Sequence, residues 1–494
     1  MRILMVYANR YITPVPALPF GLCWVSAALE EAGNEVQVLD LVFSKNLEHD
    51  ITDTIKKFQP QIIGISIRNL DSALRRQIIF FLDEIKTEII DQIKKEFSGP
   101  IVLGGAAVGI SAREILEFLD LEFAIRGDGE KAMVEFVNRI EKKRPLDGLG
   151  GLTRRKDGKI VEENPPWNVN DLSSLPKLRM DKYVDIKAYR DFKAPVQVQT
   201  KRGCELKCSY CTYRIIEGTT YRFRDPEHIA DEIENYVKEA GVNHIVITDS
   251  ISNMPLDYAK KTLKAIIARK LDVNLEITGV SPSAIDEELV GLFKEIKLKE
   301  IQMGAESGND NILKNLGKNY TKEDIIRSGK LLQEAGIPAI WYLMLGAPGE
   351  SEETLKETFE TINLAASPWD LVLVVTAIRI YKDSELSRQV LEDHPGCTDD
   401  NFFRPVFYTP KDISLDAVRI ISKKYALRNP NYLIPDEMQE IPRPALKFLT
   451  AVMKTFAPKH PWWRFIITVN KIQKFLGIFF LKRKILEIRE RNNR

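Results

Sequence analysis

Three of the chain's five cysteines fall within eight residues: Cys204, Cys208 and Cys211, in the stretch KRGCELKCSYCTY. Thiolates are soft ligands that suit zinc or an iron–sulfur cluster. Cys23 and Cys397 lie far away, and an odd count does not make a disulfide framework. Three ligands on one short stretch, with no fourth cysteine nearby, leave one metal position open. An open position means chemistry, because structural zinc sites close all four. The spacing by itself also admits zinc completed by a distant residue such as His228 or Cys397.

An alternation of strand and helix patterns positions these cysteines. Short apolar runs at 3–7, 36–41, 62–67, 101–103 and 123–125 predict strands buried on both faces. Amphipathic stretches between them, such as 18–32 and 75–97, predict helices. Residues 1–141 are therefore expected to form a Rossmann-like, doubly wound parallel α/β sheet. Ligands in such sheets sit beyond the carboxyl ends of the strands. Those ends, at 8–19, 68–72, 104–109 and 126–130, are rich in Gly, Pro and small polar residues that allow close backbone approach. Residues 142–195 read as a linker with a hairpin turn at Asp157-Gly158 and a break across 164–176. From Val196 the alternation resumes, with strands at 196–200, 244–248, 273–277, 300–304, 339–345 and 371–377. Helical patterns at 226–239, 256–269, 283–294, 322–335 and 352–365 separate them. Such repeats over 196–380 predict a partial or full parallel β/α barrel. The three cysteines follow its first strand, where a barrel places its active site. Residues 381–494 read as a mostly helical carboxyl-terminal extension.

A chain of 494 residues, 44% hydrophobic and 29% charged, can build large cores, which excludes a fibrous or mainly disordered protein. No run reaches about 18 apolar residues, the length a spanning helix needs. The opening MRILMVYANR is too short an apolar run for a signal peptide, so a cytoplasmic protein is expected. The net charge of +1 hides an asymmetry. From Arg443 to Arg494 there are 13 Lys/Arg against two Asp/Glu, which leaves −10 on the preceding 442 residues. Within that tail Phe465, Val469, Ile472, Leu476 and Phe479 form one helical stripe, with Lys471 and Lys474 off it. Trp462-Trp463 precede the stripe and Lys482-Arg483-Lys484 follow. The pattern suits a helix lying in a membrane interface, and equally a helix packed on the barrel with a solvated basic face. Nucleic acid is not expected as a partner, because the body is acidic and the aromatics are aligned for burial.

The cysteine stretch, with Tyr210 just before its last cysteine, resembles that of the radical S-adenosylmethionine enzymes. Gly304-Ala305-Glu306-Ser307-Gly308 and Gly346-Ala347-Pro348-Gly349-Glu350 extend the likeness, as does Tyr221-Arg222-Phe223-Arg224. The resemblance implies that Cys204, Cys208 and Cys211 hold three irons of a [4Fe–4S] cluster. The fourth iron would take the amino and carboxylate groups of S-adenosylmethionine. An electron from an external donor would then cleave a carbon–sulfur bond and release a deoxyadenosyl radical. Tyr210, Arg222, Glu306 and Ser307 are the S-adenosylmethionine contacts it implies. For Glu306 and Ser307 a surface salt bridge and a helix cap are the alternative.

The first 141 residues resemble the cobalamin-binding domain found before such a barrel in cobalamin-dependent radical S-adenosylmethionine enzymes. The likeness rests on Pro19-x-Gly21-Leu22, Glu30-Glu31-Ala32-Gly33, Val102-Leu103-Gly104-Gly105 and Arg126-Gly127-Asp128-Gly129-Glu130. It implies that the loops carrying Gly104, Gly105 and Gly127 receive the corrin. Many cobalamin domains carry Asp-x-His-x-x-Gly, whose histidine replaces cobalt's lower ligand. Here His49 is the domain's one histidine and lacks that context. The third strand ends Ile67-Arg68-Asn69-Leu70-Asp71, and Arg68 or Asn69 is expected to face the lower side of the corrin. Guanidinium has no acceptor, so Arg68 would fill that space without coordinating cobalt. The alternative pairs Arg68 with Asp71.

Together these readings imply methylation of an unactivated carbon on a small or lipid-like substrate. The deoxyadenosyl radical would abstract hydrogen, methylcobalamin would deliver the methyl group, and a second S-adenosylmethionine would remethylate the cobalamin. Rearrangement, cyclisation or oxidation with the same cofactors is the alternative, and a non-enzymatic zinc module the distant one.

Overall fold

The computed structural model describes residues 1–12, 15–394, 396–438, 461, 463–475 and 477. The chain falls into two compact units, one of 1–73, 77–243 and 379–406, the other of 74–76, 244–378 and 407–494. The linker, the first barrel-type strand and all three clustered cysteines therefore belong to the first unit. The extension expected from residue 381 is split, because 379–406 folds with the first unit.

The first unit opens with β1 (Arg2–Tyr7), α1 (Phe20–Glu31), β2 (Glu35–Asp40), α2 (Leu47–Phe58) and β3 (Ile62–Ser66). A helix α3 (81–96) with a π-helical middle (Ile85–Ile90), β4 (Ile101–Gly104), α4 (Ala106–Leu119), β5 (Phe123–Ile125) and α5 (Gly129–Glu141) follow. Then come β6 (Leu152–Lys156) and β7 (Lys159–Glu163). The strand order is β2-β1-β3-β4-β5-β6-β7, parallel through β5. It reverses direction between β1 and β3, which opens a crevice at their carboxyl ends.

Three expectations change here. The predicted hairpin is not an isolated linker element: β6 pairs antiparallel with β5, so the sheet is mixed. The strand predicted over 36–41 is not buried on both faces, because β2 is the sheet edge and its outward residues meet solvent. The helix predicted from residue 75 starts at Phe81. Backbone bonds from Ser72 N–H to Ile79 O (2.9 Å) and Phe81 N–H to Leu70 O (2.9 Å) hold the preceding stretch as a folded loop.

Beyond the hairpin lie a short helix α6 (Ile186–Asp191), β8 (Val196–Val198) and β9 (Lys201–Arg202). A helical turn α7 (Tyr213–Ile216), β10 (Arg222–Phe223) and α8 (Pro226–Lys238) complete this run.

The second unit is built from β11 (His244–Ile247), α9 (Leu256–Ala268), β12 (Asn274–Val280), α10 (Glu287–Glu295) and β13 (Glu300–Glu306). They are followed by α11 (Asp310–Asn315), α12 (Lys322–Ala335), β14 (Ala339–Met344), α13 (Glu352–Ala365) and β15 (Leu371–Val375). Helix α14 (Glu385–Asp393) returns to the first unit, before α15 (Leu415–Arg428), β16 (Tyr432–Leu433) and α16 (Trp463–Phe475). Strands β11 to β16 pair side by side, all parallel, and among the described residues this sheet stays open. That is the partial form of the expected barrel. Helix starts are written in local chemistry: Asp286 caps α10, while Thr321 and Ser351 form reciprocal capping boxes on α12 and α13.

Helix α16 docks through Trp463 and Ile467, both fully buried against Ile340 and Leu371. The Trp463 indole N–H donates to Glu300 Oε2 at 2.5 Å. Burial, with Glu276 nearby, pushes the Glu300 carboxyl up to about 8. Lys471 Nζ lies 3.3 Å from the Trp369 ring centroid, and Lys474 Nζ donates to Arg428 O at 2.5 Å. At about 100° per residue, Phe465, Val469 and Ile472 stand on the opposite side, with Ile472 53% exposed. Trp462, Leu476, Phe479 and the 482–484 basic run lie outside the described residues. Among the described residues no helix is long and apolar enough to cross a membrane.

Candidate functional site

The cysteine loop hangs from β9. Gly203 follows with φ +85°, and a Cβ there would collide with the Thr220 carbonyl oxygen. Only glycine lets the chain turn this close to the approach to β10. Cys204 N–H then donates to Gly218 O (3.2 Å) and Cys211 N–H to Cys208 O (3.2 Å), which folds the loop back on itself. Glu217 braces it from the side, its Oε2 accepting from Gly203 N–H (3.2 Å) and its Oε1 from Gln199 Nε2 (3.1 Å). A further support comes from helix α14, whose Leu386 N–H donates to Ser209 O at 2.7 Å.

Cys204 is buried, Cys208 and Cys211 are half-buried, and all three thiols are free of disulfides. Burial pushes the Cys204 thiol up, and the neighbouring Cys208 adds to it. Cationic irons reverse that balance by favouring the thiolate. Among the described residues the buried Ser209 hydroxyl finds no hydrogen-bond partner, a polar group left over on this loop. Among the described residues, no three His, Cys, Asp or Glu side chains are gathered around one metal position. Sulfurs that bind different irons of a cluster stand farther apart than those of one tetrahedral ion. Three cysteines on one braced loop, none in a disulfide, are a donor set that suits a cluster.

Tyr210 is half-buried between the last two cysteines. Arg222 is placed otherwise than expected. Its guanidinium is buried, pairs with Asp128, and donates to Val169 O (2.8 Å) and Glu217 O (2.6 Å). These acceptors tie it into the loop's support, so Arg222 helps to position the loop.

In the second unit, Glu306 ends β13 with φ +58° beside a break in register, a strained setting for a non-glycine residue. Its Oε1 accepts from Lys318 Nζ at 3.0 Å, and the pair is buried, not a surface salt bridge. Ser307 is fully buried, its hydroxyl 2.9 Å from Thr358 Oγ1. It accepts from Asn309 N–H (3.2 Å), while Asn309 caps α11. Ser307 thus supports the turn into α11. In the Gly346–Glu350 turn, fully buried Glu350 accepts from Gly346 N–H (3.2 Å) and Thr354 Oγ1 (2.5 Å).

The first unit also holds a cavity of about 220 Å³ with mostly apolar walls, floored by Gly64, Gly104 and Gly105 and flanked by Gly21, Gly127 and Gly129. At Gly104 a Cβ would meet nothing within 4 Å, so this residue faces open space. Gly105 (φ +99°) and Gly127 (φ +85°) are different. A Cβ there would lie 2.5 Å from Ile67 O and 2.7 Å from Trp167 O. These two let backbones meet at the rim. A glycine-lined, mostly apolar cavity of this kind lets a ligand approach the backbone closely, which suits part of a cobalamin.

Arg68 is exposed at the end of β3, beside half-buried Asn69, whose side-chain oxygen accepts from Arg68 Nη1 at 3.2 Å. Asp71 is not its partner: Arg379 Nε takes that carboxylate at 3.1 Å, both side chains buried. The guanidinium of Arg68 therefore stands at the switch point of the strand order.

The residues that sequence reasoning missed are Gln199, Arg202, Glu217, Asp128 and Glu130 as braces of the cysteine loop. Arg202 adjoins the cysteine motif, and Asp128 and Glu130 adjoin glycines, so all looked like turn chemistry.

Residues 198–362 match the family model of the Radical SAM superfamily, and residues 14–137 that of the B12 binding domain. An uncharacterized methyltransferase of Pyrococcus horikoshii is 26% identical over 374 residues, 73% of this chain and 77% of that protein. The anaerobic magnesium-protoporphyrin IX monomethyl ester cyclase of Rubrivivax gelatinosus is 26% identical over 380 residues, 73% and 65% of the two chains. Among solved structures, the radical S-adenosylmethionine methyltransferase TsrM of Kitasatospora setae, with cobalamin and a [4Fe-4S] cluster bound, superposes with a TM-score of 0.81. At 21% identity, over 97% of this chain and 99% of that one, the likeness is one of fold. The superfamily match across the cysteine loop sets the zinc-module reading aside.

Proposed function

A B12-binding domain followed by a radical SAM domain makes this chain a cobalamin-dependent radical S-adenosylmethionine enzyme, and we propose that it methylates an unactivated carbon. The observation that carries the proposal is shared walls: Gln199, Arg202 and Glu217 line the glycine-floored cavity and also brace the cysteine loop. A methyl carrier in the slot and a radical source on the loop would then be held by one set of side chains.

When bound, the cluster, S-adenosylmethionine and cobalamin supply the electron, the radical and the methyl group. The chain's own part is placement. Cys204, Cys208 and Cys211 hold the irons and leave one corner for S-adenosylmethionine. Tyr210, on the same loop, is its proposed contact. Gly104, Gly105 and Gly127 would admit cobalamin, and Arg68 and Asn69 are its further proposed contacts. An external reductant would supply electrons, and cysteines without disulfides suit a cytoplasmic setting.

Incubation with methyl-deuterated S-adenosylmethionine, a reductant and candidate substrates tests this directly. The label is expected in the product. A new product free of label would instead support the second reading, rearrangement, cyclisation or oxidation, which the relative named as a cyclase favours.

The tail reading extends to a lipid-like substrate presented at a membrane surface. The stripe of Phe465, Val469 and Ile472 on the side of α16 away from its docked face supports it. Truncation before Arg443 would also remove Trp463 from Glu300, so a stripe variant is the cleaner test. Val469→Glu/Ile472→Glu is expected to lower binding to phosphatidylglycerol vesicles about tenfold or more, by desolvation of two carboxylates. Equal co-sedimentation of variant and parent would remove the membrane contact.

A further inference from the structure

A buried cluster of four charges joins the cysteine loop to the cavity wall, all of it within the first unit. Arg202 stands two residues before Cys204, and Arg222 stands opposite it, paired across β9 and β10. Asp128 and Glu130 belong to the turn from β5 into α5, between and beside the glycines of the cavity rim. Arg202 grips Glu130 with both ends of its guanidinium, Nη2 to Oε1 at 2.6 Å and Nη1 to Oε2 at 3.2 Å. The same Nη1 lies 3.2 Å from Asp128 Oδ1. The other Asp128 oxygen takes Arg222 and the Val169 N–H (2.7 Å). No member of the group is more than 9% exposed. Two positive and two negative side chains balance inside the protein, where water cannot replace a lost partner.

This placement has a mechanical consequence. Arg202 and Glu130 line the cavity, so an occupant packs against the pair that anchors β9. From Arg202 the chain passes through Gly203, packed closely against the Thr220 carbonyl, directly to Cys204. Glu217, also on the cavity wall, holds Gly203 N–H. A ligand shifts an equilibrium only through contacts that differ between two arrangements. Here the contacts that sense the cavity are the contacts that set the loop.

We propose that the Arg202–Glu130–Asp128–Arg222 cluster couples the two cofactor sites, so that cobalamin in the cavity and an iron–sulfur cluster on the cysteine loop each strengthen the binding of the other. The inference rests on the cofactor assignments made above. The four residues are positioning residues, acting through the loop and the cavity wall that they hold. Thermodynamic linkage makes the effect reciprocal.

The test measures cobalamin affinity anaerobically in full-length protein with and without its reconstituted cluster, for the parent chain and for Glu130→Gln. The conservative amide keeps size and one acceptor while removing the charge that answers Arg202. The parent is expected to bind hydroxocobalamin about tenfold more tightly with the cluster in place, within the usual range of coupling between sites. In Glu130→Gln that ratio is expected to fall to within about twofold of one. A parent ratio near one overturns the proposal without any variant. An unchanged ratio in Glu130→Gln overturns the role of the charge cluster. Failure of the parent to bind cobalamin in either state overturns the cofactor assignment beneath it, a result distinguishable from the other two.

Discussion

Cys204→Ala is expected to abolish reductive cleavage of S-adenosylmethionine, a fall of at least ~1,000-fold, or about 4 kcal/mol at about 1.4 kcal/mol per decade. Each thiolate holds a different iron, so losing one opens a second corner and the cluster no longer assembles as a specific site. The same result is expected for Cys208→Ala and Cys211→Ala. The loop itself should survive, because Cys204 is held by its backbone N–H to Gly218 O and by the Glu217 brace on Gly203. Cys23 and Cys397, the remaining free cysteines, serve as controls, and their alanine variants are expected to keep full activity. Iron and sulfide content together with deoxyadenosine formation gives the readout. Parent-level deoxyadenosine from Cys204→Ala would remove the loop from the chemistry.

The second large effect belongs to the glycine-floored cavity. Gly104→Leu projects into open space, with nothing within 4 Å of its first carbon, so the fold should tolerate it. The isobutyl group fills part of a cavity of only about 220 Å³, and cobalamin affinity is expected to fall ~100-fold, about 2.7 kcal/mol. Gly105→Ala and Gly127→Ala should fail differently. Both sites have positive φ and backbone oxygens under 3 Å from the new carbon, so stability should fall by about 1–3 kcal/mol, seen as a lower Tm. Retained cobalamin after gel filtration separates the two cases. A Gly104→Leu protein that keeps its cobalamin would place the cofactor elsewhere.

Much of this architecture is legible in the residues, because buried parallel strands announce themselves as short apolar runs between amphipathic helices. The runs at 62–67, 101–103 and 123–125 became β3, β4 and β5 within a residue or so at each end. What such runs do not carry is pairing. Nothing in the 152–163 hairpin says that it joins the edge of β5, and nothing in 36–41 says that this strand is an edge. Ion pairs are harder still. Arg222 meets Asp128 across 94 positions and Arg379 meets Asp71 across 308, distances over which local pattern is silent. An arginine within a cofactor motif suits a ligand contact or a buried carboxylate equally well by type. Arg222 proved to be the second kind. The cysteines were legible because their chemistry needs short spacing on one loop, and the braces Gln199, Glu217 and Glu130 were not, because theirs needs only proximity in space.

The most direct test of the account is electron paramagnetic resonance of the anaerobically reconstituted, dithionite-reduced protein, recorded before and after S-adenosylmethionine is added. An open iron corner predicts the signal of a single reduced [4Fe–4S] cluster per chain, with g-values that move when S-adenosylmethionine binds. A cluster whose spectrum ignores S-adenosylmethionine, or a reconstituted protein with no cluster signal, would contradict it.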